Sequence, residues 1–175
     1  MLTGHVAVAM GAHGVARSLP LWLLILAAQL PDWADAALCA AGTRSAVPGM
    51  YSHSVAATAI LALAAAVIAM GISRDARGSA VVAVVVLLHT VGDYVTGLKP
   101  TWPRGPVIGL NLYSVPAMDF VFEAAVLTTG WMVYQLSFPA EQRYSRRLIL
   151  VLAALLAAQA ASDIVLALSP GMKKC

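Results

Sequence analysis

The sequence predicts an all-α fold, a polytopic membrane bundle of five or six helices with its polar groups gathered in one half. Three observations carry this. Hydrophobic residues make up 61 % of the 175 and charged ones 11 %, with a mean hydropathy of +0.83; a soluble globule holds roughly 45–50 % apolar and about 25 % charged residues. Four apolar stretches of about 20 residues, the length that spans hydrocarbon, run over 53–72, 79–98, 116–136 and 147–168. No ten-residue alternation appears, so backbone groups in the membrane must be bonded within helices, not around a barrel. This composition excludes an ordinary soluble enzyme, a disordered tail and nucleic-acid binding through a basic face. The net charge of +3 rests on eleven Lys and Arg scattered through short loops, where they bear on membrane orientation.

Taken in order, residues 2–17 form a short helix in which Gly4, Ala7, Gly11 and Gly14 recur at helical spacing, a pattern that lets backbones approach closely inside a bundle. Residues 19–38 are strongly apolar through Leu30 and then carry Pro31, Asp32 and Asp35. The four long stretches follow. Connections at 39–52, 73–78, 99–115 and 137–146 read as loops from their Gly, Pro and Ser content. The chain, 1–175, is one domain without internal repeats. Its amino terminus lacks the basic region of a secretory signal, so all of it reads as mature protein. Cys39 and Cys175 belong to no CxxC pair, which excludes a zinc ribbon and leaves them as separate thiols. Six crossings place Arg17, Arg74, Arg77, Arg143, Arg146 and Arg147 on one side and Arg44, Lys99, Arg104, Lys173 and Lys174 on the other. Six against five makes the first side cytoplasmic and the second periplasmic.

Ionisable groups inside membrane helices are costly and point to function. His89 and Asp93, in LLHTVGDY, are four apart, as are Asp119 and Glu123 in AMDFVFEA, so each pair projects from one helix face. Asp32 and Asp35, in LPDWAD, are three apart. His53 and His5 open their segments. Alternating crossings bring all eight groups into the same half of the bundle. Five carboxylates would repel one another in a low dielectric, and divalent cations resolve that conflict. Imidazole nitrogen with carboxylate oxygen suits Zn²⁺ first, then Mn²⁺ or iron, better than Ca²⁺ or Mg²⁺. Eight candidates exceed the ligands of one catalytic zinc, which favours two metals joined by a bridging carboxylate. The fold class is then a helix bundle with a metal site in one leaflet half. His13, about 12 Å along the helix from His5, is a hydrogen-bonded core residue. Asp163 lies between an acceptor behind the ligands and a structural contact. Trp33, Trp102 and Tyr113 form an interfacial aromatic belt.

An early histidine, LPDWAD, YSHS and HTVGDYVTGLKPTWP followed by DFVFE together resemble a bacterial family of inner-membrane, metal-dependent hydrolases first noted as LexA-regulated. The resemblance covers about residues 1–125. It implies a membrane-embedded hydrolase in the bacterial inner membrane. The order also resembles the ligand series of the zinc phospholipase C and single-strand nuclease superfamily. That second resemblance implies His5, Asp32 or Asp35, His53, His89 with Asp93, and Glu123 as metal ligands. Asp119 stands where that superfamily has histidine, and its amino-terminal Trp ligand is missing, departures that favour two metals over three.

The expected activity is phosphoester hydrolysis at a lipid or polyprenyl phosphate head group, with metal-activated water as nucleophile. Asp32 or Asp35 accepts the water's proton, and Lys99 and Arg104, in the loop leaving the 79–98 segment, bind the substrate phosphate. The expected partners are the bilayer and a phosphate-bearing lipid, with no nucleic acid. Two other classes compete. Carboxylates and histidines also build cation or proton transport paths, and a polar cluster can simply lock helices together. Interhelical polar contacts average only about 0.6 kcal/mol, a small return for so many costly groups.

Overall fold

The computed structural model describes residues 3–43 and 49–168; Arg44, Lys173, Lys174 and Cys175 lie outside them. Seven α-helices carry the fold: α1 (Thr3–Val15), α2 (Leu21–Ala28), α3 (Leu30–Ala40), α4 (Val55–Ser73), α5 (Ala76–Thr96), α6 (Pro116–Gln135) and α7 (Arg146–Leu168). Between α5 and α6 a two-stranded antiparallel hairpin pairs β1 (Lys99–Pro100) with β2 (Val107–Ile108), inside what the sequence reads as plain loop.

Three helices, α4, α5 and α7, are long and apolar enough to cross a membrane, and the bent pair α2–α3 makes a fourth if counted as one span. Of the expected five or six segments, α1 and α6 are not among these, for two physical reasons. α1 has only 13 residues, about 20 Å at 1.5 Å per residue against a hydrocarbon core of about 30 Å. α6 has the length, but its buried face carries Asp119, Glu123 and Gln135. On α4 and α7 the order of a soluble helix is inverted: Ile60, Leu63, Val67 and Ile72 of α4 and Leu150 and Ile164 of α7 are exposed, as lipid-facing residues are.

The predicted helix over 19–38 is broken. α2 and α3 meet at Gln29 with a bend of 54°. Pro31 is the cause, since it has no N–H for the helix ladder and its ring clashes with the carbonyl four residues back. α4 starts only at Val55, capped by the Ser54 side chain accepting the Ala57 N–H at 3.3 Å; His53 therefore sits in the preceding turn. Cys39 is disulfide-bonded; Cys175 lies outside the described residues.

α1 and α6 run parallel and very close, with Gly4 against Glu123 at one end and Gly14 against Val133 at the other. A Cβ on Gly14 would run into the carbonyl of Val133, and one on Gly130 into the carbonyl of Ala7. α7 returns antiparallel: Trp131 bonds the Leu148 carbonyl at 2.9 Å near one end of the pair, and Thr3 bonds Gln159 at 2.8 Å near the other. α4 and α5 are tied by the hydroxyls of Thr58 and Thr90, 2.7 Å apart. An apolar core includes Leu19, Leu24, Ala69, Val82 and Val86; His5, His53, His89, Asp93, Asp119 and Glu123 are buried, and Ser79 and Gln135 are buried at the opposite ends of α5 and α6. Overpacking costs about 1–3 kcal/mol, so Gly14→Ala and Gly130→Ala each lower the thermal unfolding midpoint in detergent. Gly71→Ala, where nothing lies within 4 Å, leaves it unchanged or raises it.

Candidate metal centre

His89 and Asp93 lie one turn apart on α5 and are buried. The Nδ1 of His89 is 2.6 Å from the carbonyl of Ala28, the last residue of α2. A carbonyl only accepts, so the ring proton sits on Nδ1 and the Nε2 lone pair faces inward. That Nε2 is buried without a hydrogen-bond partner, 3.6 Å from Asp93 Oδ2 and 3.8 Å from Asp32 Oδ1. His53 is set the same way. Its Nδ1 lies 2.7 Å from Ser52 Oγ, whose hydroxyl donates to Asp35 Oδ1 at 2.9 Å. Ser52 must then accept from Nδ1–H, which again leaves Nε2 facing the pocket, 3.1 Å from Asp32 Oδ1 and 3.2 Å from Asp93 Oδ2. Gly49 makes the turn possible: its φ is 77°, and a Cβ there would come within 3.2 Å of His53 Nδ1.

Asp32, His53, His89 and Asp93 thus offer one ligand atom each within 4.8 Å of one another, and the group could hold a metal ion. The spacing suits that. Ligands about 2.0–2.1 Å from a tetrahedral ion lie roughly 3.4 Å apart, and the four His–Asp distances run from 3.1 to 3.8 Å. Both histidines also show the arrangement of metal-binding imidazoles, the second nitrogen donating to a carbonyl or to a hydroxyl–carboxylate relay that fixes tautomer and ring plane. Burial disfavours the imidazolium of His53, but its bonds to Asp32 and Asp93 outweigh this and hold its pKa above the usual value; the pocket calls for positive charge at that point. Asp32 is the opening, its side chain 47 % exposed while that of Asp93 is 4 %.

The other expected residues divide. His5 stacks on His89 at 3.7 Å and puts Nε2 3.3 Å from Asp93 Oδ1, so it joins the quartet through the far oxygen of Asp93. Lys99, on β1, brings Nζ to 2.7 Å from Asp93 Oδ2. Arg104 is exposed in the hairpin's turn at φ 67° and is not part of the cluster. Asp35 stands behind Ser52 as a positioning residue. Asp119 and Glu123 belong to a neighbouring polar knot. Glu123 Oε2 accepts the Gly4 N–H at 2.9 Å and the Thr3 hydroxyl at 3.4 Å, while Asp119 faces Asp163, which accepts from Gln159 Nε2 at 2.8 Å. The single convergence of eight groups is therefore two adjoining clusters. Tyr113 leaves the expected belt for the space between them. Burial, and then the carboxylates of Asp93, Glu123 and Asp119, raise its pKa, and its phenol hydrogen-bonds Thr96.

Ser52, Thr3 and Gln159 were not singled out from the sequence. Ser52 had a signal, standing beside His53 in YSHS; the other two, uncharged residues in helices, had none. No family model, curated protein or solved structure matches the chain.

Removing a positioning group costs metal affinity about 10–100-fold, so Ser52→Ala and Asp35→Asn weaken divalent-ion binding by that much in a competition titration with a chromogenic chelator. His89→Ala and Asp93→Ala abolish it.

Proposed function

We propose that the protein is a membrane-embedded, metal-dependent hydrolase cleaving phosphoesters at a lipid or polyprenyl phosphate head group. The observation that carries this is the pair His53 and His89. Each has Nδ1 tied to a protein acceptor and turns Nε2 towards Asp32 and Asp93 at ligand spacing, in a pocket open at Asp32. The motif order LPDWAD, YSHS, HTVGD, DFVFE, which resembles the LexA-regulated membrane hydrolases, supports the same reading. We place the chain in a bacterial inner membrane as a bundle of five or six segments, α1 and α6 packed among the others, with the centre on the periplasmic side.

Divalent ions, zinc first and manganese or iron next, supply an acidified water and a clamp on phosphate oxygen. The chain supplies the rest. Asp32 and Asp93 with His53 and His89 form the first site. Asp93 would be shared between two ions, because its two oxygens face different partners, Oδ2 towards His53 and Lys99 and Oδ1 towards His5. His5, that Oδ1 and the α6 carboxylates Asp119 and Glu123 are the residues that would hold a second ion. Lys99 binds a substrate phosphate oxygen and Arg104 guides the head group in. Asp32, at the opening, is placed to take the proton of the attacking water. Transport fits less well, because an apolar core that includes Leu19, Ala69 and Val82 lies in the bundle beyond the centre.

Purified protein stripped with a chelator releases no phosphate from phosphatidate or polyprenyl phosphate in mixed micelles, and Zn²⁺ or Mn²⁺ restores release. His53→Ala and His89→Ala stay at least about 100-fold down with either metal, and Lys99→Gln raises KM more than it lowers kcat. Elemental analysis gives two ions per chain, falling to one in His5→Ala and Glu123→Gln. Absence of phosphate release from either lipid under every metal would sink the reading.

A further inference from the structure

At the end of the bundle remote from the metal centre, α1 and α6 finish and α5 begins. An open groove of about 730 Å³ runs there between α5 and α6 with α1 as its floor, from Leu88 and Phe122 near the centre down to Val15 and Arg77. From Leu88 to Arg77 it covers about 16 Å of helix. Except for Arg77 and Thr129, its walls are Ala, Val, Gly, Leu and Phe. None of the four metal-ligand candidates lines it. Its lower mouth is shared. Val15 and Arg77 also line a polar pocket of about 180 Å³, completed by Arg17, Ser18 and Asp75 among others. Arg17 stands across that mouth from Arg77, its guanidinium held by the carbonyl of Leu136 just past α6. Asp75 is occupied as the cap of α5, accepting the Arg77 N–H at 3.0 Å and the Ser18 hydroxyl at 3.4 Å. Two guanidinium groups against one carboxylate leave the rim with one positive charge.

We propose that this groove and pocket bind one anionic phospholipid of the leaflet opposite the metal centre, with its phosphate between Arg17 and Arg77 and an acyl chain along α5 and α6. The two halves match the two halves of the ligand. A dry apolar trough flanked by the membrane-spanning helix α5 takes a hydrocarbon chain, and a basic pocket at its mouth takes the phosphodiester, as basic pockets between membrane helices do. A neutral zwitterionic lipid fills the trough equally well but gains little at the rim. The site is independent of the hydrolytic centre.

The test is native mass spectrometry of the full chain, released from detergent containing phosphatidylglycerol or phosphatidylcholine with the same acyl chains. The expected result is one phosphatidylglycerol retained, with an affinity roughly ten-fold above phosphatidylcholine. Arg17→Gln combined with Arg77→Gln removes the preference but leaves weak binding of both lipids, and Arg77→Lys retains part of it. Thr129→Trp, which fills the trough, lowers the binding of both. A separate thermal melt of each variant confirms that it is folded. Equal retention of the two lipids by the unmodified chain, or a preference that survives loss of both arginines, overturns the proposal. A preference lost instead in Lys99→Gln overturns it too, since the head group would then lie at the other face. His89→Ala retains the lipid whether or not the chain proves to be a hydrolase.

Discussion

The break between α2 and α3 is the constraint on which the candidate centre depends. In an unbroken helix the carbonyl of Ala28 would accept the N–H of residue 32. Pro31 interrupts the ladder, and α3 leaves at 54°. The carbonyl of Ala28 then lies 2.6 Å from His89 Nδ1, while the carboxylate of Asp32 comes to 3.8 Å from Nε2 of the same ring. One interruption therefore addresses both nitrogens of one imidazole, fixing its proton on one side and supplying a companion ligand on the other. The bend also leaves Asp32 as the member of the quartet that reaches solvent, which gives the centre its opening.

Charge arithmetic explains what such a pocket accepts. A charged group at mid-membrane costs about 2.5–3.5 kcal/mol by insertion scales, and interhelical polar contacts return a fraction of that. Asp32 and Asp93 against Lys99 leave one negative charge once the histidines are neutral, as metal ligation requires. One divalent ion turns that into one positive charge. A pocket so loaded would attract an anion, and Lys99, 2.7 Å from Asp93, stands beside it. Phosphate is a natural complement to a rim of that sign; a neutral ester or amide has less to gain.

Much of this was legible in the sequence, in proportion to how local each cause is. Apolar runs placed α4, α5, α6 and α7 within a few residues, and the i, i+4 pairs did put His89 with Asp93 and Asp119 with Glu123 on shared faces. Spacing says that two residues share a face, but not which neighbour that face meets. His89 and Asp93 turn to His53 and Asp32, whereas Asp119 and Glu123 turn to Thr3 of α1 and to Asp163 of α7. Asp35 sits three residues from Asp32 on the same helix, yet the 2.7 and 2.9 Å contacts of Ser52 make it a support for His53; that depends on a turn whose form hangs on Gly49. Pro31 stood in the predicted 19–38 segment, but neither the bend it makes nor the use of Ala28 can be read from a string of residues.

The knot around Glu123 follows from the shortness of α1. A helix leaves its first four N–H groups without internal partners, and inside a bilayer water cannot supply them. α1 starts within the bundle, so its exposed donors at Thr3 and Gly4 must be met by side chains, and Gln159 Oε1 at 3.4 Å and Glu123 Oε2 at 2.9 Å meet them. A carboxylate at a helix N-terminus is favoured by the helix dipole as well. Glu123 therefore anchors the start of α1, and with it the depth of His5 one residue further on, through one oxygen. The glycine stripe of α1 completes the anchoring, since it lets the helix sink against α6 until Gly4 reaches Glu123. Close packing along one helix pair thus sets the position of a histidine whose nearest carboxylate, Asp93, belongs to a third helix.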